Sequence, residues 1–492
     1  MKKTLRSFMA TALITVFAQN ALADKIVLLD NNQESLQARA DYIQNAQETI
    51  RAQYFTIEND SLSRAALALL RDAADRGVKV KILVDSMHNL ILRETMAAVL
   101  LNLHPDKKNN IEIKEYNTFN LFRPFRYAKR MHDKGLIIDG RYMISGGRNI
   151  ANGYYGVPDK TKKGEALPVY EDSDALVLDS KSIDVAAKYF DDLWNSKFVS
   201  KVALYDYSTD GLAYSNCFNR EDSSQCEFSR GDRVKAVLEE EKKLAEFITR
   251  YKKNELSIKY EVTDWNAKSI LVQSIDFLFD DVNGQKSNLA KPQNSIGMQL
   301  YNAIAKASET VIIITPYLVI TPEQEALFKT LKEKNVSVTI ITNSKGSNDV
   351  PAANVGYEKT KQLALNSGVT LLEYQGPDTL HAKMVLLDSS TIFIGSFNWD
   401  FRSQNLNREV GILAELPADR KNDLTNDLVL KFAAIMAKTC EVGAKVCNVS
   451  RGDTLEKLNP EEYEALVQAF KLREQKSGSV YRFLFPVIKG QL

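Results

Sequence analysis

The chain has 492 residues, which at about 150 residues per domain corresponds to roughly three domain equivalents and excludes a single small module. Its composition is 44% hydrophobic and 26% charged with 22 Gly and 12 Pro, which excludes a disordered or fibrous chain. The 64 Lys and Arg against 63 Asp and Glu leave a net charge of +1, which disfavours a globally basic nucleic-acid binder.

The first 23 residues have the three-part pattern of a cleavable secretory signal. Lys2, Lys3 and Arg6 precede an apolar run at 8–18, and small residues end at Ala23, after which we expect cleavage. An N-terminal membrane anchor is the alternative, but the run has 11 residues, and about 20 are needed to span a bilayer. The pattern predicts a periplasmic or secreted protein that is soluble or peripherally associated with a membrane.

A strand, helix, strand pattern occurs twice along the chain. The two sets of segments are 50–55, 62–76 and 77–85, and then 311–317, 323–334 and 335–343. Such units are typical of layered α/β proteins. The sequence therefore predicts an α/β fold produced by a fused duplication.

Each repeat is followed by the same set of polar residues. The first half contains His132-Asp133-Lys134, Asp139 and Gly146-Gly147-Arg148-Asn149. The second half contains His381-Ala382-Lys383, Asp388 and Gly395-Ser396-Phe397-Asn398. Both copies place Asn 17 positions after His and use two of the four histidines in the chain, so chance is a poor explanation.

These polar residues precede apolar, β-prone segments, in which alternate side chains share a face. If the halves pack about a pseudo-two-fold axis, His132 and His381, Lys134 and Lys383, and Asn149 and Asn398 surround one anion-sized site. That set suits a phosphodiester, because lysines balance phosphoryl charge and amides hydrogen-bond its oxygens. The chemistry needs no metal and no cofactor.

In such a site one histidine can attack phosphorus while the other protonates the departing alkoxide and later activates water or an alcohol. The attacking imidazole must be neutral, with a carboxylate orienting its other ring nitrogen. We favour Glu409 and Asp174 as these carboxylates, with Asp172 as the next candidate.

The paired motifs resemble those of the phospholipase D superfamily, with details similar to its bacterial cardiolipin synthase branch, particularly the C-type members. The resemblance implies two tandem phospholipase-D-like lobes, each a mixed sheet flanked by helices, related by a pseudo-two-fold axis. It implies metal-independent transfer of a phosphatidyl group from a phospholipid such as phosphatidylglycerol, with no dedicated protein partner inferred. Asp139 and Asp388 are then mainly structural and electrostatic.

By the same resemblance His132 is the nucleophile, backed by Asp174, and His381 with Glu409 is the general acid and base; the reverse assignment stays open. Gly147 and Ser396 are expected to line the substrate site. Gly147 departs from the usual Ser of the motif and removes one hydroxyl.

An aromatic and basic run at 119–130 precedes the first motif. It predicts either ordinary packing or a lipid-facing rim in which Arg123, Arg126 and Arg130 contact the substrate. His88 and His104 are interpreted as packed residues without a catalytic role.

The predicted organisation is a signal peptide at 1–23, lobe 1 at 24–200, a connector at 201–289, lobe 2 at 290–440 and a C-terminal region at 441–492. The connector contains a helical pattern at 233–253, expected to pack on one lobe. The last region contains a helical pattern at 455–473 and an apolar tail at 480–489. This tail can dock on its own protein or lie at a membrane interface.

The four cysteines form two local pairs, Cys217 with Cys226 and Cys440 with Cys447. Two disulfides fit an exported protein. A zinc site is the alternative, but the spacings are wide for it.

Cardiolipin synthesis is the leading functional hypothesis, and a phospholipase D hydrolase is its near relative. A nuclease of the same superfamily is a rival that the near-neutral charge disfavours. A silent scaffold is another rival, which would not need two complete His and Lys pairs.

Overall fold

A computed structural model describes residues 24–101, 109–119, 121, 128–157, 168–204, 230–255, 263–282, 295–416, 431–432, 434–436, 438–442, 448–451 and 454–457. The predicted signal peptide, His104, Arg123, Arg126, Cys217, Cys226, Cys447 and the apolar tail at 480–489 lie outside these residues. The predictions made for them therefore stay predictions.

The first lobe is built on a nine-stranded mixed sheet. Its strands are β1 (Asp24–Leu29), β2 (Thr49–Tyr54), β3 (Lys79–Asp85), β4 (Ile111–Tyr116), β5 (Lys134–Ile138), β6 (Tyr142–Gly146), β8 (Asp174–Leu178), β9 (Val199–Lys201) and β10 (Ile270–Val272). Their order is β10-β1-β8-β6-β5-β2-β3-β4-β9. β2, β3 and β4 are parallel, as expected for strands joined by helices.

The second lobe repeats this sheet with eight strands. They are β11 (Ser274–Phe279), β12 (Thr310–Ile314), β13 (Ser337–Asn343), β14 (Thr370–Tyr374), β16 (Met384–Leu387), β17 (Thr391–Gly395), β18 (Val410–Glu415) and β19 (Thr439–Glu441). Their order is β11-β18-β17-β16-β12-β13-β14-β19. It matches, position by position, the order β1-β8-β6-β5-β2-β3-β4-β9 of the first sheet, which has β10 as an additional edge strand. The predicted α/β fold of two tandem lobes is confirmed.

Helices flank both sheets; the helix at Lys181–Trp194 packs into the central core, and most of the others cover an outer face. Their bounds are α1 (Asn32–Asn45), α2 (Ser61–Asp75), α3 (Arg93–Leu100), α4 (Lys181–Trp194), α5 (Arg230–Lys252), α6 (Trp265–Lys268), α7 (Ile296–Ile304), α8 (Pro322–Glu333), α9 (Pro351–Asn366) and α10 (Phe401–Asn405), with a short 3-10 helix at Asn152–Tyr155. α2 and α8 are the helices of the two predicted repeats. α8 begins at a capping box formed by Thr321 and Gln324, with Pro322 in its first turn, where proline is favoured.

Apolar side chains form an outer core under the helices of each lobe and a central core between the two sheets. In the central core Ile137 and Val177 of the first sheet belong to the same buried cluster as Phe277 and Ile394 of the second. The two sheets therefore pack face to face, which brings the two lobes into direct contact.

Two short backbone bridges join the lobes in equivalent ways. β7 (Tyr170–Glu171) pairs in parallel with β15 (Thr379–Leu380), and Met131 forms a parallel bridge with Arg408. Each bridge therefore lies just before a motif histidine on one lobe and just before an acidic residue on the other. This exchange gives the pseudo-two-fold relation that the repeats predict.

The region predicted as a connector also completes both sheets, since β10 and β11 come from it. Val237, Leu244 and Tyr251 of α5 are buried in the outer core of lobe 1, which confirms that this helix packs on one lobe. The exact domain boundaries stay predictions. Within the described ranges, no helix is long and apolar enough to cross a bilayer.

The C-terminal region differs from the helix predicted at 455–473. β20 (Asn448–Arg451) and β21 (Thr454–Lys457) form an antiparallel pair, so the start of that segment is a strand. Cys440, on β19, is buried and disulfide-bonded. Its partner is outside the described residues, so the proposed pairs stay predictions.

Candidate active site

The register of the two bridges places each motif histidine beside an acidic residue of the other lobe. His132 follows Met131, and its backbone N–H donates to the carbonyl of Arg408 at 2.9 Å. The N–H of His381 likewise donates to the carbonyl of Glu171 at 2.8 Å. The residues next in sequence to Arg408 and Glu171 are Glu409 and Asp172.

His132 is oriented by Glu409. Its Nδ1 lies 2.8 Å from Glu409 Oε2 and 3.1 Å from the carbonyl oxygen of Ser396, so Nδ1 carries the proton and Nε2 is the basic nitrogen. Glu409 also accepts hydrogen bonds from the hydroxyls of Ser396 and Ser403 and from the amide of Asn407. Burial raises the pKa of Glu409 to about 7, against the opposing charge of Lys134.

His381 is oriented by Asp172 in the same way. Its Nδ1 lies 2.7 Å from Asp172 Oδ2, and the backbone N–H of Ser173 donates to Asp172 Oδ1 at 2.8 Å. Burial alone would raise the pKa of Asp172, but His381 and Lys383 lower it overall. Asp172 is therefore an ionised carboxylate that favours the protonated form of His381.

The carboxylate assignments made from sequence are wrong in two respects. Glu409 orients His132 rather than His381, and Asp172 rather than Asp174 serves the other histidine. Asp174 accepts hydrogen bonds from Ser35, Arg39 and Arg148 inside lobe 1. Asp174 is the first residue of β8, and its hydrogen bonds to Ser35 and Arg39 hold α1 to the sheet.

The two lysines supply the positive charge of the site. Lys134 Nζ donates to the carbonyl of His132 at 2.7 Å, and Lys383 Nζ lies 2.9 and 3.1 Å from the two ring nitrogens of His381. Burial lowers the pKa of Lys134 to about 7, with a further contribution from Lys383. Burial also lowers the pKa of Lys383 to about 8. Two buried ammonium groups that repel each other favour an anionic ligand.

Sulfate binding is expected to weaken by about tenfold or more between about pH 6 and about pH 9. Sulfate keeps its charge across this range, whereas Lys134 and Lys383, with pKa values of about 7 and about 8, lose protons as the pH rises. Isothermal titration calorimetry measures the affinity, with a double variant, Lys134→Met with Lys383→Met, as control. An affinity that does not change with pH would contradict this account.

Burial and charge set the two histidines apart. Burial, with the charges of Lys134 and Lys383, holds the pKa of His132 well below its usual value, and His381 contributes to that lowering. Burial and Lys383 also lower the pKa of His381, but Asp172 opposes this effect. The pKa of His132 is therefore held further below its usual value than that of His381, whose cation Asp172 stabilises.

The two asparagines lie in unlike surroundings. Asn149 accepts a hydrogen bond from the backbone N–H of Thr56 at 3.2 Å and donates to the hydroxyl of Tyr154 at 2.9 Å. The buried Oδ1 of Asn398 has no hydrogen-bond partner in the part of the chain that the structure describes. A side-chain amide with unmet hydrogen-bonding capacity is suited to contact a ligand.

Gly147 and Ser396 support the carboxylates. The hydroxyl of Ser396, expected to contact substrate, donates to Glu409. A Cβ at Gly147 would overlap the Asp172 carboxylate, which explains why the usual Ser of the motif is absent here. Lobe 1 therefore combines Gly with Asp where lobe 2 combines Ser with Glu.

Restoring the usual residue by Gly147→Ser is expected to lower kcat by about 100-fold, because the new side chain displaces Asp172 from His381 and misorients its ring. Gly135→Ala, next to Lys134, is the matched control, because its Cβ would make only ordinary contacts with Gln53. Steady-state kinetics of both variants measures the effect. Full activity of Gly147→Ser would mean that the position of Asp172 is unimportant.

Asp139 and Asp388, included among the catalytic candidates, lie at the far ends of β5 and β16. Asp139 accepts hydrogen bonds from the backbone N–H groups of Gln47, Glu48 and Thr49. Asp388 accepts the equivalent bonds from Ser308, Glu309 and Thr310. Both residues have positive φ, near 50°, which Asp tolerates better than most residues. They fasten the turn after each motif strand and do not reach the reacting centre.

Arg130 is not part of an exposed rim. It is buried, and its guanidinium forms an ion pair with Asp85 at 2.7 Å. Arg130 therefore braces the segment that leads to His132.

Several aromatic residues around the histidines were not found by sequence reasoning. Phe55 lies 4.8 Å from His132 and 4.1 Å from His88, measured between ring centroids. Tyr154, Tyr170 and Tyr317 contact His381 with centroids 5.1, 5.3 and 6.2 Å away. The sequence could have indicated two of them by their place after equivalent strands, because Phe55 follows β2 and Tyr317 follows β12.

His88, interpreted as a packed residue, lies beside this site. Burial, with the charges of Arg130 and Lys134, lowers its pKa to about 4. This neutral imidazole contacts Phe55 with its ring tilted by 42°, and Phe55 in turn contacts His132. Within the described ranges, no group of three or more His, Cys, Asp or Glu side chains is arranged to hold a metal ion.

The sequence matches a known family in both lobes. The matched regions, residues 40–194 and 300–435, correspond to the family described as "Cardiolipin synthase, PLD-like domain". The chain belongs to this phospholipase D-like family. It is an enzyme of the phosphatidyltransferase and phosphodiesterase class within the phospholipase D superfamily.

Two similar relatives and one solved structure match most of this chain. Cardiolipin synthase C of Escherichia coli (strain K12) is 27% identical over 436 residues, covering 83% of this chain and 85% of the relative. Cardiolipin synthase 1 of Bacillus cereus is 24% identical over 428 residues, covering 86% and 70%. The crystal structure of phosphatidylserine synthase from Haemophilus influenzae shares the fold, with a TM-score of 0.56, 17% identity and coverage of 96% and 98%.

Proposed function

We propose that this phospholipase D-like enzyme is an exported phosphatidyltransferase that makes cardiolipin from phosphatidylglycerol or a similar phospholipid. The observation that carries the proposal is the meeting of two complete His and Lys pairs across the lobes, each histidine oriented by a carboxylate. Two relatives named cardiolipin synthase, matched over most of their length, support the choice of a phospholipid substrate.

In the first step, Nε2 of neutral His132 attacks the phosphorus of a phosphatidyl donor. A P–N bond forms as the bond from phosphorus to the head-group oxygen breaks, and protonated His381 transfers its proton to the departing alkoxide. Lys134 and Lys383 balance the phosphoryl charge.

In the second step, His381 removes the proton from the hydroxyl of an acceptor, whose oxygen attacks phosphorus as the P–N bond breaks. With phosphatidylglycerol as the acceptor the product is cardiolipin, whereas with water it is phosphatidic acid. This division of roles fits the electrostatics, because the pKa of His132 is held well below its usual value, whereas Asp172 opposes the lowering of the His381 pKa.

Export, the two disulfides and peripheral attachment to a membrane belong to the same proposal. They rest on the signal-like residues 1–23 and on the paired spacing of the cysteines. Mass mapping of the exported protein under non-reducing conditions tests the cleavage after Ala23 and the pairs Cys217 with Cys226 and Cys440 with Cys447.

Purified mature protein incubated with phosphatidylglycerol vesicles tests the activity, with the products measured by lipid mass spectrometry. Cardiolipin formation supports the proposal, and phosphatidic acid alone makes the enzyme a hydrolase. A parallel incubation with single-stranded DNA tests the nuclease alternative. Preincubation with EDTA is expected to leave the rate unchanged, and the His132→Ala with His381→Ala double variant controls for contaminating activity.

A further inference from the structure

An exposed apolar cluster lies on two loops beside the site. Of the ten large apolar side chains exposed among the described residues, five lie in these loops. They are Met87, Leu90 and Leu92 after β3, and Phe119 and Leu121 after β4. Leu90 is 50% exposed and Leu121 is 75% exposed. We refer to these five residues as the apolar tip.

The two loops project from one edge of the first sheet. β3 and β4 are neighbouring parallel strands, and the pairing ends at Asp85 and Tyr116. The hydroxyl of Ser86 then donates to the carbonyl of Asn117 at 2.9 Å, so the loops remain in contact beyond the sheet. This is also the edge at which β2 ends and β5 begins, where His132 and Lys134 lie.

The apolar tip is connected to the catalytic centre through ring contacts, one tilted and one edge-to-face. His88, between Met87 and Leu90, lies 4.1 Å from Phe55, and Phe55 lies 4.8 Å from His132. A surface that covers the tip therefore adjoins the entrance to the site.

The charges of the same segments indicate the kind of surface. Residues 86–93 and 117–130 contain no Asp or Glu, and they contain Arg93, Arg123, Arg126 and Lys129 besides the buried Arg130. Exposed apolar side chains on segments whose sequence carries cations and no acidic residue suit the interface of an anionic bilayer, because apolar burial and attraction to lipid phosphates add together. A nucleic acid would use the cations but not the exposed leucines.

We propose that the apolar tip inserts into the head-group region of an anionic phospholipid bilayer and so sets the site entrance at the membrane surface. The proposal rests on the proposed function for its lipid. It predicts that binding to vesicles and chemistry at His132 are separable, because the tip residues are not part of the hydrogen-bonded site.

The test uses one double variant that combines Leu90→Gln and Leu121→Gln, called the tip variant, and compares it with the unmodified protein. Val185→Gln with Leu238→Gln is the matched control, since these side chains are exposed by 44% and 47% on helices elsewhere in the fold. Sedimentation with vesicles of one part phosphatidylglycerol to three parts phosphatidylcholine measures binding. Turnover of a water-soluble short-chain phosphatidylglycerol measures the intact site.

The tip variant is expected to bind vesicles about tenfold or more weakly while turnover of the soluble substrate stays within about twofold. The control variant is expected to match the unmodified protein in both assays. Unchanged vesicle binding by the tip variant would overturn the proposal, as would equal loss in the control. The unmodified protein could bind vesicles through the tip and yet turn over neither vesicle phosphatidylglycerol nor the short-chain form. That result would contradict the proposed function and support the docking surface.

Discussion

His132→Ala and His381→Ala are each expected to lower phosphatidyl transfer by about two to four orders of magnitude. Both imidazoles are nearly inaccessible, and each has a carboxylate on Nδ1. His88→Ala is the matched control, since it removes a nearby imidazole with no carboxylate partner and is expected to cost less than about tenfold.

The two variants should also separate the roles of the histidines. With a fluorogenic aryl phosphodiester, whose leaving group needs no proton, His381→Ala should still form the phosphohistidine, and mass mapping should find the adduct on His132. His132→Ala should form none. An adduct on His381 reverses the roles, and retention of more than about a tenth of the activity by either variant rejects the two-histidine mechanism.

Asp172→Asn and Glu409→Gln are the second pair with large expected effects, each lowering kcat by about two to four orders of magnitude. An amide in place of the carboxylate can present its NH₂ group to Nδ1, which favours the wrong tautomer and removes the charge that stabilises an imidazolium. The measurement is kcat at several pH values, with circular dichroism to establish that both variants are folded.

Asp174→Asn distinguishes the observed pairing from the one expected from sequence. Its carboxylate bridges Arg39 and Arg148 in the interior, so we expect a loss of about 3 kcal/mol in the free energy of unfolding and a kcat within about tenfold of the unmodified protein. Urea unfolding measures the stability. A normal stability combined with a collapse of kcat would indicate that Asp174 acts on a histidine after all.

The parts of the fold that depend on local pattern were predictable. The strand at 77–85 is observed as Lys79–Asp85, and the helix at 323–334 as Pro322–Glu333. Hydrophobic periodicity and the turn residues set these elements, and both are readable in a short window. The same holds for the two motifs, whose spacing is identical.

The pairing between lobes was not predictable in this way, because it depends on a register between segments far apart in sequence. Asp172 and Asp174 are two residues apart, so in an isolated strand their side chains share one face and the sequence does not distinguish them. Aligning the halves at their glycines separates them, since Gly146 pairs with Asp174 whereas Gly395 pairs with Gly411. Asp172 is then the counterpart of Glu409.

The exchange of carboxylates between lobes has a consequence for how such a site can arise and be maintained. Each lobe contains a histidine and a lysine, but the carboxylate that orients its histidine comes from the other lobe. Neither lobe alone therefore has a histidine oriented by a carboxylate. A chain with one lobe could assemble the site only as a symmetric dimer, in which both copies give and receive the same group. Fusion makes that association independent of protein concentration. Fusion also allows the sequences of the two halves to diverge. They already differ at this site, where lobe 1 has Gly147 with Asp172 and lobe 2 has Ser396 with Glu409.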